Sequence, residues 1–156
     1  MELGHTSLYD YCFQHAGNLS LSVRREIAIG IFLGLEYLHS IGVAHLDLKL
    51  ENILVISNVS TFHFMAKNIC LADFGLCAIA DDPMDDIRVD GRLGTPGFFA
   101  PEMKLVGFSE GRMADMWSAG VGFSNLDSSL DKDKQQVSAT TSLALFSKML
   151  LDATYD

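Results

Sequence analysis

Cations are scarce in this chain. Lys and Arg total 11 against 20 Asp and Glu, for a formal charge of −9, and no lysine stands before Lys49. Nucleic acids and anionic membranes are held by clustered cations, so the balance argues against a dedicated binder of either. Cysteine is also sparse. Cys12, Cys70 and Cys77 make an odd set without metal-ligand spacing. Cys70 lies in an apolar run and reads as a small buried hydrophobe, and Cys77 as a packing residue with no nearby cation to activate it. The opening Met1-Glu2-Leu3-Gly4-His5 lacks the basic-then-apolar order of a signal peptide. No apolar run approaches the roughly 20 residues of a membrane span. A reducing, cytoplasmic compartment is the default expectation.

Apolar residues make up 49% of the 156 positions, enough for one domain with a sizeable core. Leu8–Phe13 supplies the apolar face of a first short helix within a lead-in over 1–20. The clearest helix covers 21–40, where Val23, Ile27, Ile31, Leu35 and Leu38 recur at three- and four-residue steps. Ser22 is placed to cap its start, Glu26 lies in its first turns, and Gly42 suits a left-handed exit. Apolar neighbours at 28, 29, 32 and 33 predict burial on several sides.

Ile53–Ile56 and Ile69–Ala72 read as strands, joined by a surface excursion over 57–68 in which His63 is a loop residue. Residues 76–93 form a segment rich in carboxylates, with Asp81, Asp82, Asp85, Asp86 and Asp90 against Arg88 and Arg92. Pro101 opens a short helix, and another spans about Arg112 to Phe123, with the only Trp, Trp117, as core. A polar linker begins at Ser124. Thr141–Leu151 then has the pattern of an amphipathic helix, with Leu143, Phe146, Leu150 and Leu151 on one side.

Four stretches stand out by their order and spacing. They are His45-Leu46-Asp47-Leu48-Lys49-Leu50-Glu51-Asn52; Asp73-Phe74-Gly75; Gly94-Thr95-Pro96-Gly97-Phe98-Phe99-Ala100-Pro101-Glu102; and Asp115-Met116-Trp117-Ser118-Ala119-Gly120-Val121. Together they resemble the large, C-terminal lobe of a serine/threonine protein kinase. The resemblance implies a mainly α fold with a few short strands, a kinase-like large lobe truncated at both ends, without the small lobe. Residues 1–123 would form the lobe and 124–156 a divergent linker and helix.

The resemblance also implies ATP-dependent phosphoryl transfer to Ser and Thr hydroxyls of a protein substrate, a reaction that depends on positioning and charge neutralisation. Asp47 would orient the acceptor hydroxyl and take its proton, Lys49 would balance charge on the transferred phosphate, and Thr95 would hydrogen-bond both. Asn52 and Asp73 would hold Mg²⁺ through oxygen ligands. Glu2 and Leu3 would meet the adenine edge if the opening residues are the interlobe hinge; an ordinary surface helix is the other reading. Leu54 would lie against the nucleotide. Gly75 would let the backbone turn sharply, and Asp115 would accept backbone N–H bonds from the catalytic loop.

The departures are equally specific. Leu46 stands where most of the family has Arg, and Leu76–Gly94 contains no Ser, Thr or Tyr. The usual reader of an activation-segment phosphate and the site for that phosphate are therefore both missing, and regulation by such a phosphate is not expected. No Gly-x-Gly-x-x-Gly loop and no β3 lysine precede Lys49. Glu102 lacks its late Arg partner and should be more exposed than usual. The rival reading is a catalytically inactive interaction module. It would bind a protein partner on the exposed interlobe face near Leu54 and Phe74, with 140–151 as a partial cover.

Overall fold

A computed structural model describes residues 5–15, 19–56, 61–105 and 107–128. Glu2, Leu3 and the segment 141–151 lie outside the described residues. Among the described residues four helices carry the fold: α1 (Leu8–Gln14), α2 (Leu21–Ser40), α3 (Pro101–Leu105) and α4 (Gly111–Ser128). The strands are short. They are β1 (His5–Ser7), β2 (Val43–Ala44), β3 (Ile53–Ile56), β4 (Ile69–Leu71), β5 (Ala78–Ile79), β6 (Arg88–Asp90) and β7 (Phe108–Glu110).

Strand β1 was not expected within the 1–20 lead-in. It pairs antiparallel with β3, which also pairs with β4, in the order β1-β3-β4. Three residues carry no readable period, and this strand is defined by its partner. Ile69 and Leu71 of β4 pack toward Gly30 and Gly34 of α2, so Cys70 between them points to the other face and is exposed where the sequence predicted burial. Leu54 lies opposite both Ser7 and Cys70 and is half-buried.

Helix α2 buries the expected stripe of Val23, Ile27, Ile31, Leu35 and Leu38. Its cap is Ser20, not Ser22: the Ser20 hydroxyl accepts from Val23 N at 3.3 Å, and Ser22 bonds to Ser20 Oγ. Either serine precedes the apolar stripe closely enough to serve, and the backbone geometry selects the first. Glu26 reaches across to accept from Ala66 N at 2.7 Å, fixing the turn before β4. Gly42 takes φ +74° at the exit. Burial extends beyond the stripe to half-buried Ala28 and Phe32 but not all round, because Ile29, Leu33 and Tyr37 line an exposed face.

Among the described residues two apolar clusters divide the interior. One gathers α1, α2 and β3 through Leu8, Ile27, Ile31, Leu35, Ile53 and Val55, with Ala119 and Leu126 of α4. The other holds Ala44, Leu46, Ile87, Val89, Ala100, Met103 and Ala114. Helix α4 contributes to both and continues to Ser128, so 124–128, read from sequence as linker, are helical, with Ser124 and Leu126 buried. Trp117 is only half-buried, packed against the second cluster rather than within it.

Candidate active site

The loop between β2 and β3 is anchored by alternate residues. Leu46 is buried in the second cluster, and Leu48 and Leu50 in the first. Burying each Leu contributes about 1.5–3 kcal/mol. Anchors on both sides leave Asp47 and Lys49 half-buried between them, facing outward.

Asp47 is held by three side chains. Thr95 Oγ1 donates to its Oδ1 at 2.6 Å, while Lys49 Nζ and Asn52 Nδ2 each donate to Oδ2 at 3.0 Å. Lys49 Nζ also donates to Thr95 Oγ1 at 2.9 Å, closing a ring of three residues. Burial pushes the Asp47 carboxyl up. The bonds from Thr95 and Lys49, the Lys49 charge and the Asn52 bond outweigh it, so the pKa lies below the ordinary value. Gly94 makes the approach of Thr95 feasible: at φ +106°, a Cβ there would strike the Leu46 carbonyl.

Beneath the loop lies Asp115, fully buried on α4. Its Oδ2 accepts from His45 N and its Oδ1 from Leu46 N, both at 2.8 Å. His39 Nε2, at the end of α2, stands 2.9 Å from the same Oδ2. The two backbone bonds hold Leu46 at φ +67°, a conformation costly for a residue with a branched side chain.

Two further residues carry parts that sequence did not assign. His45 Nδ1 accepts from Asp47 N at 3.3 Å, which leaves Nε2–H to donate to the Ala72 carbonyl at 2.9 Å. Its ring therefore joins the Asp47 loop to the segment entering Asp73, and Phe74 packs against it at 5.1 Å. Arg112 Nη2 donates to the carbonyls of Pro83 and Asp85 at 2.8 and 3.0 Å, fixing the acidic segment to the start of α4. His45 stood within a quoted motif. Arg112 gave no signal, since its acceptors are backbone atoms distant in sequence.

The candidate metal residues flank the β3–β4 pairing. Asn52 is buried, and Nδ2 is engaged by Asp47 O at 2.9 Å and Oδ2 at 3.0 Å. Its Oδ1, a neutral oxygen, has no protein partner among the described residues. Ala72 N donates to Asn52 O at 2.9 Å, tying the residue before Asp73 to it. Asp73 is exposed at φ +63°, and its Oδ1 accepts from Gly75 N at 3.3 Å. Gly75 lies in a turn, as expected, while the left-handed residue is Asp73, whose side chain stabilises the turn locally. One carboxylate plus one free amide oxygen fits a hard divalent cation that takes its remaining ligands from phosphate and water. Among the described residues there is no cluster of three or more His, Cys, Asp or Glu suited to a metal. Glu102 is half-buried, and its Oε1 accepts from Ser109 Oγ at 2.8 Å in place of an arginine.

Residues 1–145 match the family described as protein kinase domain. The match continues past Phe123, where the recognisable motifs end. CBL-interacting protein kinase 3 of Oryza sativa subsp. japonica is 37% identical over 106 residues, covering 68% of this chain and 22% of the relative. CBL-interacting protein kinase 4 of the same species is 36% identical over 100 residues, covering 64% of this chain and 20% of the relative. CBL-interacting serine/threonine-protein kinase 5 of Arabidopsis thaliana is 34% identical over 112 residues, covering 71% of this chain and 23% of the relative. The matched stretch thus spans only about a fifth of these curated relatives. With its match covering most of the sequence, the chain belongs to the protein kinase domain family.

Proposed function

We propose that this chain carries the large-lobe half of a serine/threonine kinase site, transferring the γ-phosphoryl group of ATP to a protein Ser or Thr hydroxyl. The observation that carries the reading is the ring of Asp47, Lys49 and Thr95 over Asn52. The Asp47 carboxylate accepts the proton of the substrate hydroxyl while that oxygen bonds to phosphorus and the bond to the ADP oxygen breaks. Lys49 balances charge on the transferred group, and Thr95 keeps the carboxylate and amine in register. Asn52 Oδ1 and Asp73 would hold Mg²⁺, which supplies neutralisation of phosphate charge. Leu54 offers an apolar floor to the base, with Glu2 and Leu3 as its hinge contacts. The chain works in a reducing, cytoplasmic compartment, a reading supported by free thiols at Cys12, Cys70 and Cys77.

The second reading, an inactive interaction module, draws on exposed Phe74, Leu76 and Ile79 near the site. Phosphotransfer from labelled MgATP to a generic protein substrate, followed by phosphoamino-acid analysis, separates the two. The kinase reading expects phosphoserine or phosphothreonine, lost in Asp47→Asn and in Asp73→Asn. Dominant phosphotyrosine, or label surviving both substitutions, overturns it. No transfer, with no saturable MgATP binding by calorimetry, leaves the interaction module standing for this chain.

A further inference from the structure

The chain leaves the site after Asp73 and returns to it at Thr95, so whatever fixes the stretch between them sets how its two ends close on Asp47. Buried side chains fix only part of that stretch. Ile87 and Val89 are buried, whereas residues 81–86 are all exposed. The exposed part is held by its backbone instead. Arg112 Nη2 donates to Pro83 O at 2.8 Å and to Asp85 O at 3.0 Å, and Nη1 donates to Glu110 Oε1 at 3.3 Å. The same Glu110 Oε1 accepts from Ile87 N at 3.3 Å, and Glu110 Oε2 accepts from Met113 N at 2.9 Å. Gly111 N completes the set, donating to Ile87 O at 2.7 Å. Residues 110–112 thus grip the segment at 83, 85 and 87, every second position.

Asp81, Asp82, Asp85 and Asp86 flank these positions in sequence, yet the guanidinium bonds to carbonyls. General attraction to carboxylates would need only a positive charge. Meeting two carbonyls and one carboxylate with a single planar group needs the fork of an arginine. The side chains of Arg112 and Glu110 are 21% and 26% exposed, so salt screens their contacts less than it would on the open surface. The grip bears on the site through Ile87. A Cβ built on Gly111 would stand 2.8 Å from Ala44 Cβ and 3.1 Å from Ile87 Cγ2, so α4, β2 and the segment meet there without slack. Ala44 leads directly into His45, Leu46 and Asp47, and Leu46 shares its buried cluster with Ile87.

We infer that Arg112 is a positioning residue of the Asp47 site, acting through Glu110 and the segment backbone and touching no reacting atom. Its effect on phosphoryl transfer rests on the kinase reading, while its effect on the segment and on the Asp47 loop does not. A protein acceptor that brings a hydroxyl to Asp47 must lie on the surface beside it. Exposed Arg92, Pro96 and Gly97, next to Thr95, belong to that surface. They follow the stretch that Arg112 holds, so the fork sets where a protein acceptor rests more than how its hydroxyl reacts.

Amide exchange and steady-state transfer to a generic protein substrate, both on the full chain, test this together. Arg112→Ala should speed exchange at Met84–Ile87 about tenfold or more, and at Leu46 and Thr95 by a smaller factor, while α2 amides from Ile27 to Leu35 keep their rates. Arg112→Lys keeps the charge without the fork and should behave nearly as Arg112→Ala does. In both variants the KM for the protein acceptor should rise severalfold, by more than kcat falls. Unchanged exchange at Met84–Ile87, or full protection in Arg112→Lys, overturns the grip. Faster exchange there with Leu46 and Thr95 unmoved, or a loss confined to kcat, overturns its reach to the site. An equal rise throughout α2 marks a general loss of stability and also overturns the inference. If the unaltered chain transfers no phosphate, it is the kinase reading that fails, and exchange at Leu46 and Thr95 alone decides whether Arg112 positions the loop.

Discussion

Replacing Asp115 with Ala tests whether the Asp47 loop is held from below, as the geometry requires. The substitution strands two backbone donors, His45 N and Leu46 N, on residues with 0% and 5% exposure. Each buried donor left without an acceptor costs about 1–3 kcal/mol, so the pair should cost roughly 2–6 kcal/mol. Two effects work the other way. The variant no longer buries a carboxylate, and a freed Leu46 can leave its φ of +67°. The net loss expected is about 3 kcal/mol, a large part of the roughly 5–15 kcal/mol that holds a typical domain together. Asp115→Asn keeps one acceptor oxygen and should lose about half as much. His39→Ala removes one bond from a partly exposed ring and should cost about 1 kcal/mol. Urea unfolding followed by far-UV circular dichroism measures all three, with an unchanged slope showing that the unfolded state is unaffected. A loss below about 1 kcal/mol for Asp115→Ala, or Asn equal to Asp, would refute the pinning argument.

Leu46→Arg restores the residue usual in the family but brings a charge into the apolar cluster of Ile87, Val89, Ala100 and Met103. The variant should lose about 3 kcal/mol in the same urea assay, and a gain in stability would contradict the apolar role of Leu46. Thr95→Val removes a bond that holds the Asp47 pKa down, so its carbon-detected titration midpoint should rise; an unmoved midpoint would discount the Thr95 bond. A depressed carboxyl stabilises the fold above its unfolded-state pKa, and that support is lost as pH falls through the folded value. The acid limb of stability should therefore flatten in Thr95→Val. Cys12 is buried and its pKa is pushed up to about 12 by burial, with the Arg24 charge opposing. It should stay unlabelled by a thiol reagent at neutral pH while exposed Cys70 reacts. Stability should decline from the ordinary thiol pKa near 8.5 up to the folded value, as the unfolded thiol ionises first; a flat alkaline limb would contradict the burial of Cys12.

The residues of the site were legible because each belongs to a short motif whose chemistry is local: Asp47, Lys49 and Asn52 lie within six consecutive positions. Asp115 was legible for the same reason, since its motif marks it even though its partners stand about 70 residues away in sequence. Sequence also anticipated two links between motifs, Thr95 to Asp47 and Lys49 and Asp115 to the loop backbone, but not the contacts made by residues outside the motifs. His39 and Arg112 occur in ordinary helical contexts, and their acceptors are fixed by how α2 and α4 cross. The helix stripes were readable because burial repeats every three or four residues. The errors fall where that period is missing or shared. β1 is too short to show alternation, and Cys70 faces out because its neighbours Ile69 and Leu71 take the face of β4 that packs toward α2. Ile29, Leu33 and Tyr37 are as apolar as the buried stripe but face away from it. A helix rich in apolar residues states how much it could bury, and the partners available decide which face it does bury.

The acidic segment before Gly94 shows how this chain orders by packing what a phosphate and an arginine would order by charge. Leu46 occupies the Arg position and shares a buried cluster with Ile87 and Val89 of the segment itself. Burying side chains of that size contributes about 1.5–3 kcal/mol each. Backbone contacts complete the attachment: Gly111 N donates to Ile87 O at 2.7 Å, and β6 pairs with β7. Arg112 adds its two bonds to carbonyls at 83 and 85. The one ion pair on β6, Arg88 with Asp90, is mostly exposed, and pairs of that kind contribute at most about 1 kcal/mol. Apolar burial and backbone pairing are little screened by salt and need no enzyme to install them. In this chain the position of the segment is therefore a property of the folded state, set when Leu46, Ile87 and Val89 leave water together.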